Sequence, residues 1–407
     1  MIPAAEPGRR LAVRVTADAL RQVRGGHPWI YADAITSIGE DGRAGDLAVI
    51  FDDRRRFAAI GLYDPDSPIR IKVLHTGRAA TIDGEWWRGR VAASVERRAP
   101  LAADPATTAW RAVHGENDGL PGLVVDRYAD TAVVKLYSAA LVAHLDDVVG
   151  AVSAALAPER VVLRASRAVA AHLPPGLADG CTIVGPPADG PVEYRENGLT
   201  FGADVVNGQK TGAFLDQRDN RALVGRHSAG ARVLDVFCCT GGFSVHAAAG
   251  GARAVYLVDQ SSGAVAAALA NRDRNVARPA VARCRFTTDV RDAFEVMAGL
   301  AAAGRRFDVV VVDPPSFAAN QRAVAGALRA YRRLTRLALD VVESGGLLFQ
   351  ASCSSRVTTE EFVASFHAEA TSAGVRLSEV ARPAHPRDHP VGFPQGTYLK
   401  AVLARVG

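Results

Sequence analysis

Lysine is almost missing from this chain, standing only at positions 72, 135, 210 and 400 among 48 basic residues. Positive charge is therefore carried by arginine, whose planar fork suits phosphate groups, although an Arg- and Ala-rich composition more often reflects a GC-rich genome. The net charge of +5 is compatible with a polyanionic partner without requiring one. Cysteine is sparse: Cys181, Cys238, Cys239, Cys284 and Cys353 form no CxxC pair and have no histidine at ligand spacing, so no metal site is expected. The N-terminal MIPAAEPGRRLAVRV lacks the apolar core of a signal peptide, no run approaches a membrane span, and no repeat or low-complexity tract is present. An odd number of thiols without a leader suits a reducing compartment. With 48% hydrophobic and 22% charged residues, the 407-residue chain is too apolar for disorder and long enough for two or three packed domains. These features lead us to expect a soluble, cytoplasmic protein.

The stretch Ala231–Asp259 organises the rest. Val233-Leu234-Asp235-Val236-Phe237 reads as a strand buried on both faces, Thr240-Gly241-Gly242 as a turn, Ser244–Ala249 as a small-residue helix, and Ala254–Val258 as a second strand ending in Asp259. Glycines at the first turn let backbone approach a ligand closely, and an acid closing the second strand can accept hydrogen bonds from both hydroxyls of a ribose. The turn is not the GxGxxG of a dinucleotide site. It resembles motif I of the class I S-adenosylmethionine (SAM) methyltransferases, in which no pyrophosphate has to be cradled.

Three units follow from pattern and punctuation. Residues 1–77 carry short alternating runs separated by turns such as Asp41-Gly42 and Asp64-Pro65-Asp66, a small β-rich barrel or sandwich. Within it, Arg24-Gly-Gly-His27-Pro-Trp29-Ile-Tyr31 is a basic and aromatic patch; it resembles the signature of PUA domains, which bind structured RNA, and Trp29 is as readily a packing residue. Residues 78–190 read as a strand–strand–helix–strand α+β unit that begins with an amphipathic helix over Glu85–Arg98. After the Pro- and Gly-rich Gly185–Pro191, residues 191–407 alternate strand and helix, with strands expected at Arg285–Thr288, Asp308–Val312, Gly346–Ala351, Arg376–Ala381 and Tyr398–Ala404. The last two lack a crossover helix between them and predict an antiparallel hairpin. The expected fold class is α/β, a seven-stranded Rossmann-like methyltransferase domain preceded by the two smaller units.

Asp235, Asp259 and Asp289 sit at or near strand ends, and in open α/β sheets ligands bind beyond the carboxyl ends of strands. The resemblance to class I methyltransferases implies that Asp235 lies by the methionine moiety, with Thr240, Gly241, Gly242 and Phe243 around the cofactor. It also implies that Asp259 takes the ribose and Asp289 the adenine amine, with Asp292 a competitor for that last role. Asp313-Pro314-Pro315-Ser316-Phe317 ends the next strand; its two prolines cannot extend a ladder and make a rigid lip. This resembles motif IV of methyltransferases acting on planar nitrogen or carbon centres of nucleobases, with Asp313 catalytic, Pro314 beside the cofactor, and Pro315, Ser316 and Phe317 facing the base.

Cys353, in Gln350-Ala-Ser-Cys-Ser-Ser355, falls at the end of the following strand. Cytosine C5 is too electron-poor to attack a sulfonium methyl until a thiolate adds at C6. Cys353 resembles the motif VI nucleophile of RNA 5-methylcytosine methyltransferases, and Ser316 stands where some of them have a second cysteine. A free cysteine is also often a small core residue.

The segments Gly208–Arg221, Asp388-His-Pro-Val391 and Tyr398-Leu-Lys400, together with His114–Tyr128 and the PUA-like start, resemble the RlmI-like 23S ribosomal RNA cytosine-C5 methyltransferases over nearly the whole chain. The resemblance implies SAM as cofactor (S-adenosylhomocysteine as product), Gln217 and Arg218 closing its pocket, large-subunit ribosomal RNA as partner with contacts from Arg24, His27 and Trp29, and 5-methylcytosine as product, with a homodimer allowed. Cys238-Cys239 and Thr397 depart from that family's usual residues. Two other readings fit the motifs: a guanine-N or other nucleobase methyltransferase with Cys353 a bystander, and an RNA-binding assembly factor that has lost catalysis.

Overall fold

The computed structural model describes residues 9–39, 41–318 and 320–407; residues 1–8, part of the N-terminal stretch considered above, lie outside them. The chain divides into two compact units. The first extends to Arg195 and adds Ala203–Leu215 and Arg387–Gly396; the second comprises Glu196–Gly202, Asp216–Pro386 and Thr397–Gly407.

In the first unit, strands rich in Val, Ile and Leu separated by Asp-containing turns build a six-stranded sheet. Its strands are Arg10–Val15, Trp29–Tyr31, Ile35–Ile38, Leu47–Phe51, Phe57–Tyr63 and Ile69–Thr76, and one pair, Arg10–Val15 with Leu47–Phe51, is parallel. A helix not foreseen from the sequence, Ala17–Arg24, is capped by the Thr16 hydroxyl, which accepts from Ala19 N, and buries Ala19, Leu20 and Val23. A five-stranded sheet follows (Ala109–His114, Leu123–Tyr128, Thr131–Leu136, Arg160–Ala165, Thr182–Val184), with the helix Gly84–Glu96 N-capped by Asp83. Leu47, Ile60, Leu62 and Leu74 of the first sheet share one apolar cluster with Trp87, Val91, Val113, Leu136 and Val152. Contrary to the expectation that no run is long enough for a membrane span, the 18 residues Ala139–Leu156 are apolar enough by length and composition. Here they form a 3-10 turn and a helix whose Leu145, Val148, Val152 and Leu156 belong to that same core, so the apolarity is accounted for by packing.

The second unit is built on one seven-stranded sheet: β1 (Arg232–Val236), β2 (Ala254–Val258), β3 (Arg285–Asp289), β4 (Phe307–Val312), β5 (Val342–Ser352), β6 (Leu377–Ala381) and β7 (Lys400–Val406). The spatial order is β3-β2-β1-β4-β5-β7-β6. The first five strands are parallel, and β7 is antiparallel to both neighbours. Alternation assigns each strand to two cores: Leu234, Val236, Val310, Val312 and Leu348 face one helix layer, while Val233, Val255, Val309, Val311 and Phe349 face the other. Helices α1 (Arg218–Arg226), α2 (Gly242–Ala249), α3 (Ser262–Asp273), α4 (Ala293–Ala302), α5 (Val324–Leu339) and α6 (Thr359–Ser372) form those layers.

The closing hairpin expected from the sequence is present, with shifted bounds. Strand β5 starts four residues early because Ser344-Gly345-Gly346, which reads as a turn, is carried through as an irregularity with Gly345 at φ 78°. Strand β7 starts at Lys400, two residues late, and the Tyr398 hydroxyl ahead of it donates to Asp216 (2.7 Å).

Candidate active site

The strand-end residues singled out in the second unit lie at the carboxyl edge of β1, β2, β3, β4 and β5. Strand β1 runs into a turn in which Phe237 (φ 63°) and Cys239 (φ 48°) are left-handed, ahead of Gly241 (φ 75°). A side chain at Gly241 would put Cβ 2.7 Å from Ala268 Cβ on α3, and one at Gly242 would sit 2.5 Å from Arg221 Cδ on α1. The sequence suggests that these glycines admit a ligand; the structure adds that protein behind the turn already excludes a Cβ. The Asn271 side chain on α3 ties the turn down by donating to the Thr240 carbonyl (2.9 Å), and Arg221 is held by a buried two-pronged pair to Glu196 (2.7 and 2.6 Å). Phe243 packs at 5.2 Å from the Phe349 ring.

Asp235 is fully buried. Its Oδ2 accepts from the Ser244 hydroxyl (2.6 Å), while Oδ1 has no hydrogen-bond partner among the described residues. Burial pushes its pKa up to about 6, and the neighbouring Asp259 adds to the rise. Asp259 accepts from Cys239 N (3.0 Å) and Ser261 N (2.9 Å), one bond to each oxygen, so each keeps further acceptor capacity. Asp289 accepts from Arg291 Nε (2.7 Å) and from Tyr256 (3.1 Å), and chiefly Arg291 holds its pKa below the usual carboxylate range. Asp292 is the N-cap of α4, accepting from Phe294 N and Glu295 N, a local duty that a sequence alone does not separate from ligand binding. Burial pushes the Cys238 and Cys239 thiols up, so they stay protonated. Among the described residues no His, Cys, Asp and Glu side chains gather as a metal site.

Gln217 reaches Asp313: its Nε2 donates to Asp313 Oδ1 (2.8 Å), and Asn220 in turn donates to Gln217 Oε1 (2.5 Å). Arg218 is buried and contacts Asp219 (3.3 Å). Pro314 is buried and Pro315 and Ser316 are exposed, as a lip requires. Phe317 packs against the Tyr331 ring at 5.2 Å. The Cys353 thiol donates to the Pro314 carbonyl (Sγ to O 3.9 Å), joining the ends of the neighbouring parallel strands β4 and β5. Around it, the Ser352 hydroxyl donates to Tyr331 Oη (2.9 Å), and burial holds the Tyr331 phenol up at about 12. Lys400 begins β7 directly beside Ser352, and its Nζ donates to the carbonyls of Ser354 and Tyr398. Sequence reading placed Lys400 in a family-like segment but gave it no role, although its rarity was a signal: it is the one lysine of the second unit.

A cavity of about 320 Å³ opens at the opposite, amino edge of the same sheet, lined among others by Arg232, Tyr256, Arg285, Arg305 and Glu343. None of the candidate active-site side chains lines it.

In the first unit, Trp29 is half-buried, its indole N–H donating to Glu116 (3.0 Å) and its ring meeting Phe393 edge-on at 5.1 Å. His27 lies 5.8 Å from the Trp29 ring, and exposed Arg24 pairs with Asp52 (3.2 Å). The patch is thus neither a purely buried cluster nor a free-standing set of side chains.

Comparison with known proteins agrees with this architecture. Residues 177–405 match the family described as S-adenosylmethionine-dependent methyltransferase, and residues 13–76 match a PUA-like domain. A protein named ribosomal RNA large subunit methyltransferase from Deinococcus radiodurans is 42% identical over 98% of each chain. One named ribosomal RNA large subunit methyltransferase I from Tolumonas auensis is 34% identical over 93% of this chain and 95% of its own. A solved structure described as a SAM-dependent methyltransferase of Streptococcus mutans superposes with a TM-score of 0.82 at 20% identity, covering 97% of this chain and 99% of that one. Another methyltransferase, solved with S-adenosylhomocysteine, gives 0.82 at 21% identity, covering 98% and 100%. With a family match over more than half its length and a relative 42% identical end to end, this chain belongs to the S-adenosylmethionine-dependent methyltransferase family, alongside the ribosomal RNA large subunit methyltransferases.

Proposed function

We propose that this protein methylates C5 of a cytosine in large-subunit ribosomal RNA, in the cytoplasm, with Cys353 as the nucleophile that activates the base. The contact that carries the reading is the Cys353 thiol against the Pro314 carbonyl: a nucleophile candidate and a nucleobase-facing lip meet at adjacent strand ends. The names of the full-length relatives support the RNA substrate.

The turn after β1 fits a cationic nucleoside cofactor. Asp235 offers a buried oxygen without a partner, and Asp259 offers remaining acceptor capacity on both oxygens. Asp235, Thr240, Gly241, Gly242, Phe243, Asp259 and Asp289 would hold SAM, which supplies an electrophilic methyl group when bound. Gln217 engages Asp313, so its part is to fix that carboxylate as well as to border the cofactor.

The target base has to leave its stack to reach Cys353. The sulfur lone pair then adds to C6, and the electrons of the C5–C6 double bond become available at C5. Asp313, with one oxygen held by Gln217, binds the N3/N4 edge and favours the protonation that accompanies addition. Loss of the C5 proton after methylation re-forms the double bond and expels the thiolate. The PUA-like residues 13–76, with Arg24, His27 and Trp29, would hold the RNA through shape and phosphates, because the A-form major groove is closed to side chains.

RNA containing 5-fluorocytosine tests this, since fluorine replaces the proton that must leave. A covalent adduct on Cys353 is expected, retained in Cys238→Ala and Cys239→Ala and lost in Cys353→Ala, which should still bind SAM. A Cys353→Ala enzyme that methylates RNA at the normal rate would make the cysteine a bystander and point to nitrogen methylation.

A further inference from the structure

Lys400 is a cation placed where cations are expensive. Its side chain belongs to a residue only 3% exposed, and its Nζ donates to two neutral acceptors, the Ser354 and Tyr398 carbonyls. An ammonium has three N–H bonds, so one remains without a protein acceptor among the described residues. No carboxylate lies within ion-pair distance of it among the described residues. Buried charges are normally paired, and an ammonium without a carboxylate asks what its counter-charge is.

We propose that the counter-charge is the thiolate of Cys353, and that Lys400 acts as the positioning residue that favours this ionised form before the base arrives. Two contacts place Lys400 at this strand end: it pairs with Ser352 across the antiparallel β5–β7 ladder, and its Nζ is anchored on the carbonyl of Ser354, so it is tied to the residues on either side of Cys353. Burial disfavours the Lys400 ammonium, whereas an ionised Cys353 would favour it, as does Glu361 of α6. The other titratable groups acting on this corner are Tyr331 of α5, protonated through ordinary pH, and Asp313 at the end of β4. Burial lowers the Lys400 pKa to about 8, so the group is an ammonium at neutral pH but not by a wide margin. The thiol proton leaves to solvent, the ammonium keeps its own, and no electrons are transferred. Lysine suits the task better than arginine, because it presents a compact charge whose third N–H can turn toward sulfur.

This inference rests on Cys353 being the nucleophile, yet it can be read on the thiol without any methylation. The experiment is the rate of Cys353 alkylation by iodoacetamide as a function of pH, followed by mass spectrometry of the Cys353 peptide so that the other four cysteines do not interfere. Lys400→Met and Lys400→Gln should raise the midpoint of that profile by about 1 to 3 pH units, the usual effect of removing an adjacent opposite charge. Alkylation near pH 7 should slow at least about tenfold per unit. Lys400→Arg should restore part of the reactivity. Lys400→Gln keeps a donor for the Ser354 carbonyl, so it separates lost charge from a lost tether even if Lys400→Met folds poorly. Wild-type alkylation midpoints in both neutral variants would overturn the proposal and leave Lys400 a structural tie. A shifted midpoint together with normal methylation by Cys353→Ala would instead retain the ion pair and refute the cytosine mechanism.

Discussion

Asp235 offers the sharpest thermodynamic test of the cofactor pocket. A fully buried carboxylate whose pKa rises from 3.8 to about 6 makes folding less favourable whenever it is ionised. The sign follows from proton binding. Between about pH 4 and pH 6 the folded state holds a proton that the unfolded chain has released, so stability falls as pH rises through that window and is level above it. A difference of about two units corresponds to about 3 kcal/mol. Asparagine is isosteric, keeps an acceptor for the Ser244 hydroxyl and carries no charge. In the absence of cofactor, Asp235→Asn should therefore stabilise the second unit by up to about 3 kcal/mol near pH 7.5, with the gain fading toward about pH 4 as wild-type Asp235 takes up its proton. All four tryptophans (29, 86, 87 and 110) lie in the first unit, so their fluorescence is an internal control and not a reporter of this change. The suitable measurement is amide hydrogen exchange by mass spectrometry on the peptide containing Arg232–Val236, comparing both proteins at each pH. SAM should reverse the preference, because a cationic ligand beside the carboxylate offsets its burial and Asp235→Asn loses that attraction. Equal protection of the two proteins near pH 7.5, or a difference that persists unchanged near pH 4, would refute the assignment of a buried, ionised Asp235.

Two further outcomes are expected around the same turn. Asp259→Ala should weaken SAM binding by about 1.5 to 3 kcal/mol, the range for a charged hydrogen-bond partner, and calorimetry showing unchanged affinity would place Asp259 outside the pocket. Gly241→Ala sets a Cβ 2.7 Å from Ala268 at a left-handed φ, so it should cost about 1 to 3 kcal/mol and impair SAM binding. A variant as resistant to urea as wild type, with full SAM affinity, would show that the contact with α3 yields freely.

The sequence by itself determined the elements and their kind. The strand–turn–helix–strand of Ala231–Asp259, the acid ending each of the next two strands, the Asp-Pro-Pro lip and the closing hairpin all arise from local signals. Apolar runs, glycine and proline act within a few residues, and such patterns survive in a linear reading. The same locality explains where reading stopped. Ser344-Gly345-Gly346 has the chemistry of a turn, yet pairing with β4 carries strand through it. Helix Ala139–Leu156 has the composition of a membrane span, and only its neighbours show that it is core.

Tertiary structure decided what each side chain is for. Gln217 meets Asp313 across 96 residues of chain, and Lys400 meets the carbonyl of Ser354 across 46. Arg221 finds Glu196, and Asn271 finds the Thr240 carbonyl, through helices whose sequence announces only that they are helices. Asp235 and Asp292 are both candidate cofactor acids in the sequence, but one is a buried carboxylate with an oxygen that has no partner among the described residues and the other caps a helix. Hydrogen bonding and burial depend on distances between remote segments, set by strand register and helix packing, and a shift of one residue in register would move the Lys400 side chain off the face it shares with Ser352.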